Sequence, residues 1–147
     1  MSEVILIPVE EWGGDAAMHL YQLLGERPAS ANISHKTMPS FEEHKTFLAT
    51  KPYAGHWVIS EFSDNGRSVV NFAVGACYIT KNDEIGIQIG SRYQRRGYAR
   101  TALNTLIEMH KGRRLLANIA PGNEASRKLF EGFGFKHIQN TFELEAR

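Results

Sequence analysis

The sequence contains a single cysteine, Cys77. One thiol allows neither an internal disulfide nor a thiolate-ligated zinc site. Cys77 lies in an apolar stretch, so it is expected to be a small buried core residue and not a nucleophile. No apolar run approaches the ~18 residues that a membrane span requires. The N-terminus lacks a basic-then-apolar leader pattern, and a cytoplasmic location is the expectation. Excess charge is absent too: 17 Lys and Arg against 16 Asp and Glu leave a formal charge of +1. That balance argues against a broad nucleic-acid-binding surface. Repeats, low-complexity tracts and linkers are also missing. With 147 residues, 42% hydrophobic and 22% charged, the chain fits one domain (1–147) around one core.

One absence is local. From Ile85 to Ile107 there is no Asp or Glu, yet Arg92, Arg95, Arg96 and Arg100 crowd together. Ile85, Ile87 and Ile89 alternate as one face of a strand. From about Tyr98, the positions Ala99, Ala102, Leu103, Leu106 and Ile107 follow helical spacing. The arginines therefore sit at a helix N-terminus, which already carries about half a positive charge and favours anions. Gly97 would let a ligand approach the backbone, and the first-turn N–H groups have no helical partner. The stretch reads as a phosphate or pyrophosphate cradle, the alternative being a solvated basic loop.

The rest of the chain supplies ordered elements. Val4–Pro8 reads as a strand, and Asp15 as the N-cap of a helix carrying Ala17, Leu20, Tyr21 and Leu24 and stopped by Gly25. The polar stretch Glu26–Pro39 is either a functional loop or a plain connector. Ser40-Phe41-Glu42-Glu43 is a capping box opening a second helix that Pro52 ends. Helix-start electrostatics account for Glu42 and Glu43 beside His44, so no metal is expected there. Trp57–Phe62, Ser68–Ile79 and the isoleucine strand form an antiparallel meander, with Asp64-Asn65-Gly66 a hairpin turn and Gly75 a bulge. The basic-loop helix runs to about Lys111. Leu115–Ala120 follows as a strand parallel to the isoleucine strand. Asn123 caps a last helix, Gly134 ends it, and Phe135–Ile138 with Thr141–Leu144 close the chain as a hairpin.

This element order, with Gln94-Arg95-Arg96-Gly97-Tyr98-Ala99 between strand and helix, resembles the GCN5-related N-acetyltransferase (GNAT) superfamily. Its acyl-CoA signature is Gln or Arg, two residues, Gly, one residue, then Gly or Ala. Asn123, Ser126, Leu129, Phe130 and Gly132-Phe133-Gly134-Phe135 fit its second block. The likeness is close from Asp83 to Phe135 and weak over the first fifty residues. It implies an α+β fold, with a mostly antiparallel sheet of six to seven strands splayed in the middle and about four helices. It also implies acetyl-CoA as acyl donor, a primary amine as acceptor and direct attack without an acyl-enzyme. The N–H groups of Gln94 to Ala99, with Arg95, Arg96, Gly97 and Tyr98 between, would hold the pyrophosphate. Ile89, Gly90 and Ser91 would pair with the pantetheine, an N–H near Ile89 would polarise the thioester carbonyl, and Asn123 would touch the pantetheine arm.

For the base, Glu84 opens the isoleucine strand on the face of Gly86 and Gln88; the competing reading is a surface carboxylate after a turn. His35 or Glu43 would serve if the Glu26–Pro39 loop closed over the site. For the acid, Phe130 occupies the position where many relatives carry Tyr, and it has no proton to give. Ser126, one turn earlier, would protonate the leaving thiolate or make only a helix-start hydrogen bond. Glu26–Leu48 also resembles acetyltransferases acting on amino groups of nucleotide-linked sugars, and Arg27 and His35 would suit an anionic group on the acceptor. Peptide N-termini, small amines and amino sugars all fit. The other reading is a coenzyme-A-binding module without catalysis. Exposed sheet edges and the last hairpin are compatible with a homodimer.

Overall fold

The computed structural model describes residues 2–27 and 37–147. His35 and most of the polar connection before Pro39 lie outside them. Five strands form one sheet in the order in which they occur: β1 (Ser2–Pro8), β2 (Gly55–Asp64), β3 (Val69–Ile79), β4 (Glu84–Ile89) and β5 (Leu116–Ala117). The first four are antiparallel neighbours and β5 runs parallel to β4. The ladder between β2 and β3 shifts where Ile59 faces Gly75 and Ser60 faces Ala73. Val74 is therefore the extra residue of a bulge beside the expected glycine.

The alternation in β4 decides which helix covers which face. Ile85 and Ile89 join Ile59, Cys77 and Ile79 against Ala102, Leu103 and Leu106 of α3 (Tyr98–Met109). The large side chains of Ile59, Leu103 and Leu106 are fully shielded from water. Burying each stabilises the fold by about 2 kcal/mol. On the other face, α1 (Ala16–Glu26) sets Leu20 and Leu23 against Ala76. The Gln88 side chain, on that face, donates to the Leu23 carbonyl.

The helix starts are as the sequence predicts. Asp15 accepts from the Met18 N–H at 3.0 Å. Ser40 and Glu43 close the capping box of α2 (Phe41–Ala49), with bonds of 3.1 and 3.0 Å. The Ser40 backbone N–H, seconded by the Ser40 side chain, holds the Glu43 carboxyl below its usual range, so Glu43 is committed to its helix. Asn123 caps α4 (Glu124–Gly132). At its end, Gly134 N–H meets the Glu131 carbonyl and Phe135 N–H the Phe130 carbonyl, with the Phe130 and Phe135 rings 5.0 Å apart. This is a Schellman ending with its hydrophobic contact.

Several boundaries differ from the sequence reading. Helix α1 runs through Gly25 to Glu26, where the Glu26 carboxylate is anchored on Ser91 at 3.0 and 3.2 Å. That anchor offsets the roughly 1 kcal/mol a helical glycine costs. The β2–β3 turn is wider than a two-residue hairpin, because Asp64 and Asn65 side-chain oxygens accept from Gly66, Arg67 and Ser68 N–H groups. Among the described residues the expected closing hairpin is not formed, and the sheet has five strands instead of six or seven. Strand β5 is two residues long and offers too short a ladder for another strand. Ile138, Phe142 and Leu144 consequently stand exposed.

Over the α1–α2 face lies a run of rings. Tyr21 meets Phe41 and His44, and Tyr53 meets Phe47, His56 and Tyr78. His44 is buried, and its Nε2 has no hydrogen-bond partner among the described residues. Burial lowers the pKa of His44. Burial, reinforced by His44 and opposed by Glu10, lowers His56 from 6.5 to about 4. Between those values the unfolded chain holds protons that the folded chain refuses. Stability is thus complete above about pH 6.5 and falls toward pH 4, by at most about 1.4 kcal/mol per pH unit for each histidine. Urea unfolding at pH 7.5, 6 and 5 will show this slope, and His56→Gln will flatten it.

Candidate active site

The β4–β5 ladder contains two residue pairs, Glu84 with Leu116 and Ile85 with Ala117. Beyond them the strands part. The Gly90 N–H bonds back to the Val74 carbonyl of β3 at 2.8 Å, and the Thr80 N–H bonds to the Glu84 carbonyl at 2.9 Å. Even-numbered residues of β4 thus turn their backbone toward β3, and by strand alternation Ile87 and Ile89 turn theirs toward the parting. Among the described residues no strand faces the N–H groups of Ile87 and Ile89. The Ile89 carbonyl accepts from the Gln94 side chain at 3.2 Å, which folds the basic loop back onto the strand end. The Ser91 N–H is taken by Glu26.

The parting leads directly to the start of α3. A short 3-10 turn, Ser91–Tyr93, joins strand to loop. Arg95 and Gly97 take left-handed backbone conformations, φ 65° and 87°, which is costly at Arg95 and natural at Gly97. Gly97 is the N-cap and supplies no side-chain acceptor, and the first turn holds no acid. The N–H groups of Tyr98, Ala99 and Arg100 therefore have no helical partner. Among the described residues, none of Arg92, Arg95, Arg96 and Arg100 forms a salt bridge to a carboxylate. Arg96 lies 6.0 Å from the Tyr93 ring and Arg100 5.7 Å from the Phe133 ring. This basic, uncapped helix start suits a diphosphate-sized anion. The Tyr98 side chain does not face it: buried, it donates to Glu61 of β2 at 2.9 Å, pinning the helix start to the sheet.

At the apex of the parting stands Glu84. Its carboxylate accepts from the Asn118 side-chain amide, and Thr80 Oγ1 lies 3.5 Å away. Asn118 is the one polar residue between Leu115 and Ala120, a signal that the sequence reading passed over. Glu61 in β2 and Glu26 were missed for a different reason, since their partners are far away in the chain.

On α4 the N-cap oxygen of Asn123 accepts from the Ser126 N–H at 3.2 Å. The Ser126 hydroxyl makes no hydrogen bond among the described residues, so the local helix-start bond weighed for it is not formed. Phe130 is 3% exposed and belongs to the core. Cys77 is 1% exposed, and burial pushes its thiol up to about 12, so it carries no thiolate at neutral pH. Among the described residues no group of three or more His, Cys, Asp or Glu is placed to hold a metal ion. No described helix is long and apolar enough to cross a membrane.

Residues 4–136 match the model of the acetyltransferase (GNAT) domain family. Among solved structures, a domain from Methanocaldococcus jannaschii aligns with a TM-score of 0.74 at 20% identity, over 97% of this chain and 94% of that one. An N-acetyltransferase from Staphylococcus aureus aligns at 0.60 and 21% identity, over 95% and 86%. A ribosomal-protein-alanine N-acetyltransferase from Brucella melitensis aligns at 0.58 and 19%, over 93% and 86%. At these identities the likeness is one of fold. No curated protein matches the sequence.

The burial of Phe130 makes a separate prediction. Phe130→Ala will lower the unfolding free energy by about 3–5 kcal/mol in urea titrations. A loss below about 1 kcal/mol would mean the ring is not a core element.

Proposed function

The chain belongs to the GNAT acetyltransferase family, and on that premise we propose that it transfers an acetyl group from acetyl-CoA to a primary amine by direct attack. The observation that carries the proposal is the parted β4–β5 edge running straight into an uncapped, arginine-rich helix start. A long, thin ligand with an anionic middle fits that pair of features. The N–H groups of Ile87 and Ile89 would pair with the amides of the pantetheine arm. One of them would polarise the thioester carbonyl, as an oxyanion contact. The Gln94–Ala99 loop would hold the pyrophosphate, and the Asn123 end of α4 would border the arm.

In the reaction the amine nitrogen forms a bond to the carbonyl carbon, and the carbon–sulfur bond breaks with its electron pair going to sulfur. Glu84 would take the proton lost by the amine. The Asn118 amide orients that carboxylate. The free hydroxyl of Ser126 would give the thiolate a proton, and a buried Phe130 leaves it as the hydroxyl of that helix turn. The acceptor class stays broad. The Brucella melitensis structure is named for alanine on a ribosomal protein, which supports a peptide N-terminus as one member alongside small amines and amino sugars.

Calorimetry with acetyl-CoA should show stoichiometric binding. Gly97→Glu should weaken it by about a hundredfold or more, because a carboxylate would face the anion. Thiol release across an amine panel should then detect turnover. Glu84→Gln should lower kcat by roughly 10²–10⁴ with the KM for acetyl-CoA unchanged. Binding without thiol release for any amine would favour a coenzyme-A-binding module over an enzyme.

A further inference from the structure

One polar group beside the parting has no role in that scheme. Tyr78 of β3 pairs with Gly86 of β4, the first residue past the last β4–β5 pair. Its ring lies across β4 directly over Gly86. A Cβ at position 86 would fall on the ring carbons and on the hydroxyl oxygen, so only glycine leaves the ring room. The opposite face of the ring stacks on Tyr53, with centroids 4.0 Å apart and planes 12° from parallel. His56 meets it edge-on at 6.3 Å. With both faces covered, the ring can neither swing away nor offer its π-face to a cation. What it presents is its hydroxyl edge.

The placement of that hydroxyl is specific. The phenol end of the ring sits over Gly86, so the oxygen is delivered from the β3 side onto β4 at the residue where the β4–β5 pairing has just ended. It lies on the same face of β4 as Glu84 and Gly86, the face opposite the isoleucines and α3. The hydroxyl makes no hydrogen bond among the described residues. Burial, with the nearby Glu84 charge adding to it and Arg27 opposing it, keeps the phenol protonated through neutral pH. The oxygen is not sealed from solvent, since among the described residues the buried side-chain polar atom left without a partner is His44 Nε2, and the phenol oxygen is therefore open to a bound group.

We infer that the Tyr78 hydroxyl positions the acceptor, accepting one N–H of the incoming amine over Gly86 while Glu84 takes its proton. This rests on the acetyltransferase reading. It adds that the acceptor reaches the thioester from the α1–α2 face and that its amino group is unhindered enough to touch two oxygens at once. Gly86 and Tyr53 act on the reaction only through Tyr78, and so are positioning residues.

The test is Tyr78→Phe in the full chain, assayed by thiol release with the amine of the panel that the wild type turns over fastest. The ring, its stacking and its burial are kept. The expected result is a loss of about five- to tenfold in kcat/KM for the amine, the yield of one hydrogen bond, expressed mainly in the amine KM. The melting temperature and the calorimetric affinity for acetyl-CoA should stay at wild-type values. Gly86→Ala, which expels the ring while keeping the phenol, should cause a similar loss. The double variant should be no worse than the poorer single one. A Tyr78→Phe enzyme with an amine kcat/KM within twofold of wild type would overturn the inference and leave the acetyltransferase reading standing. Absence of wild-type thiol release with every amine would overturn both.

Discussion

The structure depends on a ladder that stops. Strand β4 is bonded to β3 along its whole length, but to β5 through only two residue pairs. Buried backbone N–H groups need partners, and the edge of β4 left open past the two-residue β5, the last strand of the sheet, is a template for pairing with something else. Everything nearby is arranged around that edge. Gln94 turns back to the Ile89 carbonyl, Glu26 reaches from α1 to Ser91, and Tyr98 ties the start of α3 to Glu61. These three contacts hold the walls of the parting while leaving Ile87 and the N–H of Ile89 without a strand opposite among the described residues.

The same strand serves two faces. Toward α3 its isoleucines are core, and toward α1 it carries Glu84, Gly86 and Gln88. Period-two alternation makes this division automatic. The parting therefore opens between an anion-ready helix start at one end and a carboxylate, an amide and a phenol around its apex. The arginines explain themselves in this setting. Four cations at the positive end of a helix dipole, without acids among them, repel one another and the dipole. An anion bound to the first-turn N–H groups turns the same arrangement into an attraction.

The features legible in the sequence were those set by near neighbours in the chain. The caps at Asp15, Ser40 and Asn123, the Gly134 ending, the meander and the basic-loop helix all appear where local chemistry puts them. Each depends on groups within a few residues. The misreadings have the opposite origin. Gly25 does not end α1 because Ser91 anchors Glu26 from across the fold. The closing hairpin had suitable residues but no ladder to join, since β5 is short.

The amino-acid sequence by itself determined the family, the α+β element order, the isoleucine face and the anion-ready loop, because periodicity, capping and glycine placement act over one or two turns of chain. Tertiary structure alone decided where β4 and β5 separate, that Asn118 meets Glu84, and that the Tyr78 ring lies over Gly86. Those outcomes turn on the register and divergence of strands more than thirty residues apart in the case of Glu84 and Asn118, and no local pattern encodes such a distance.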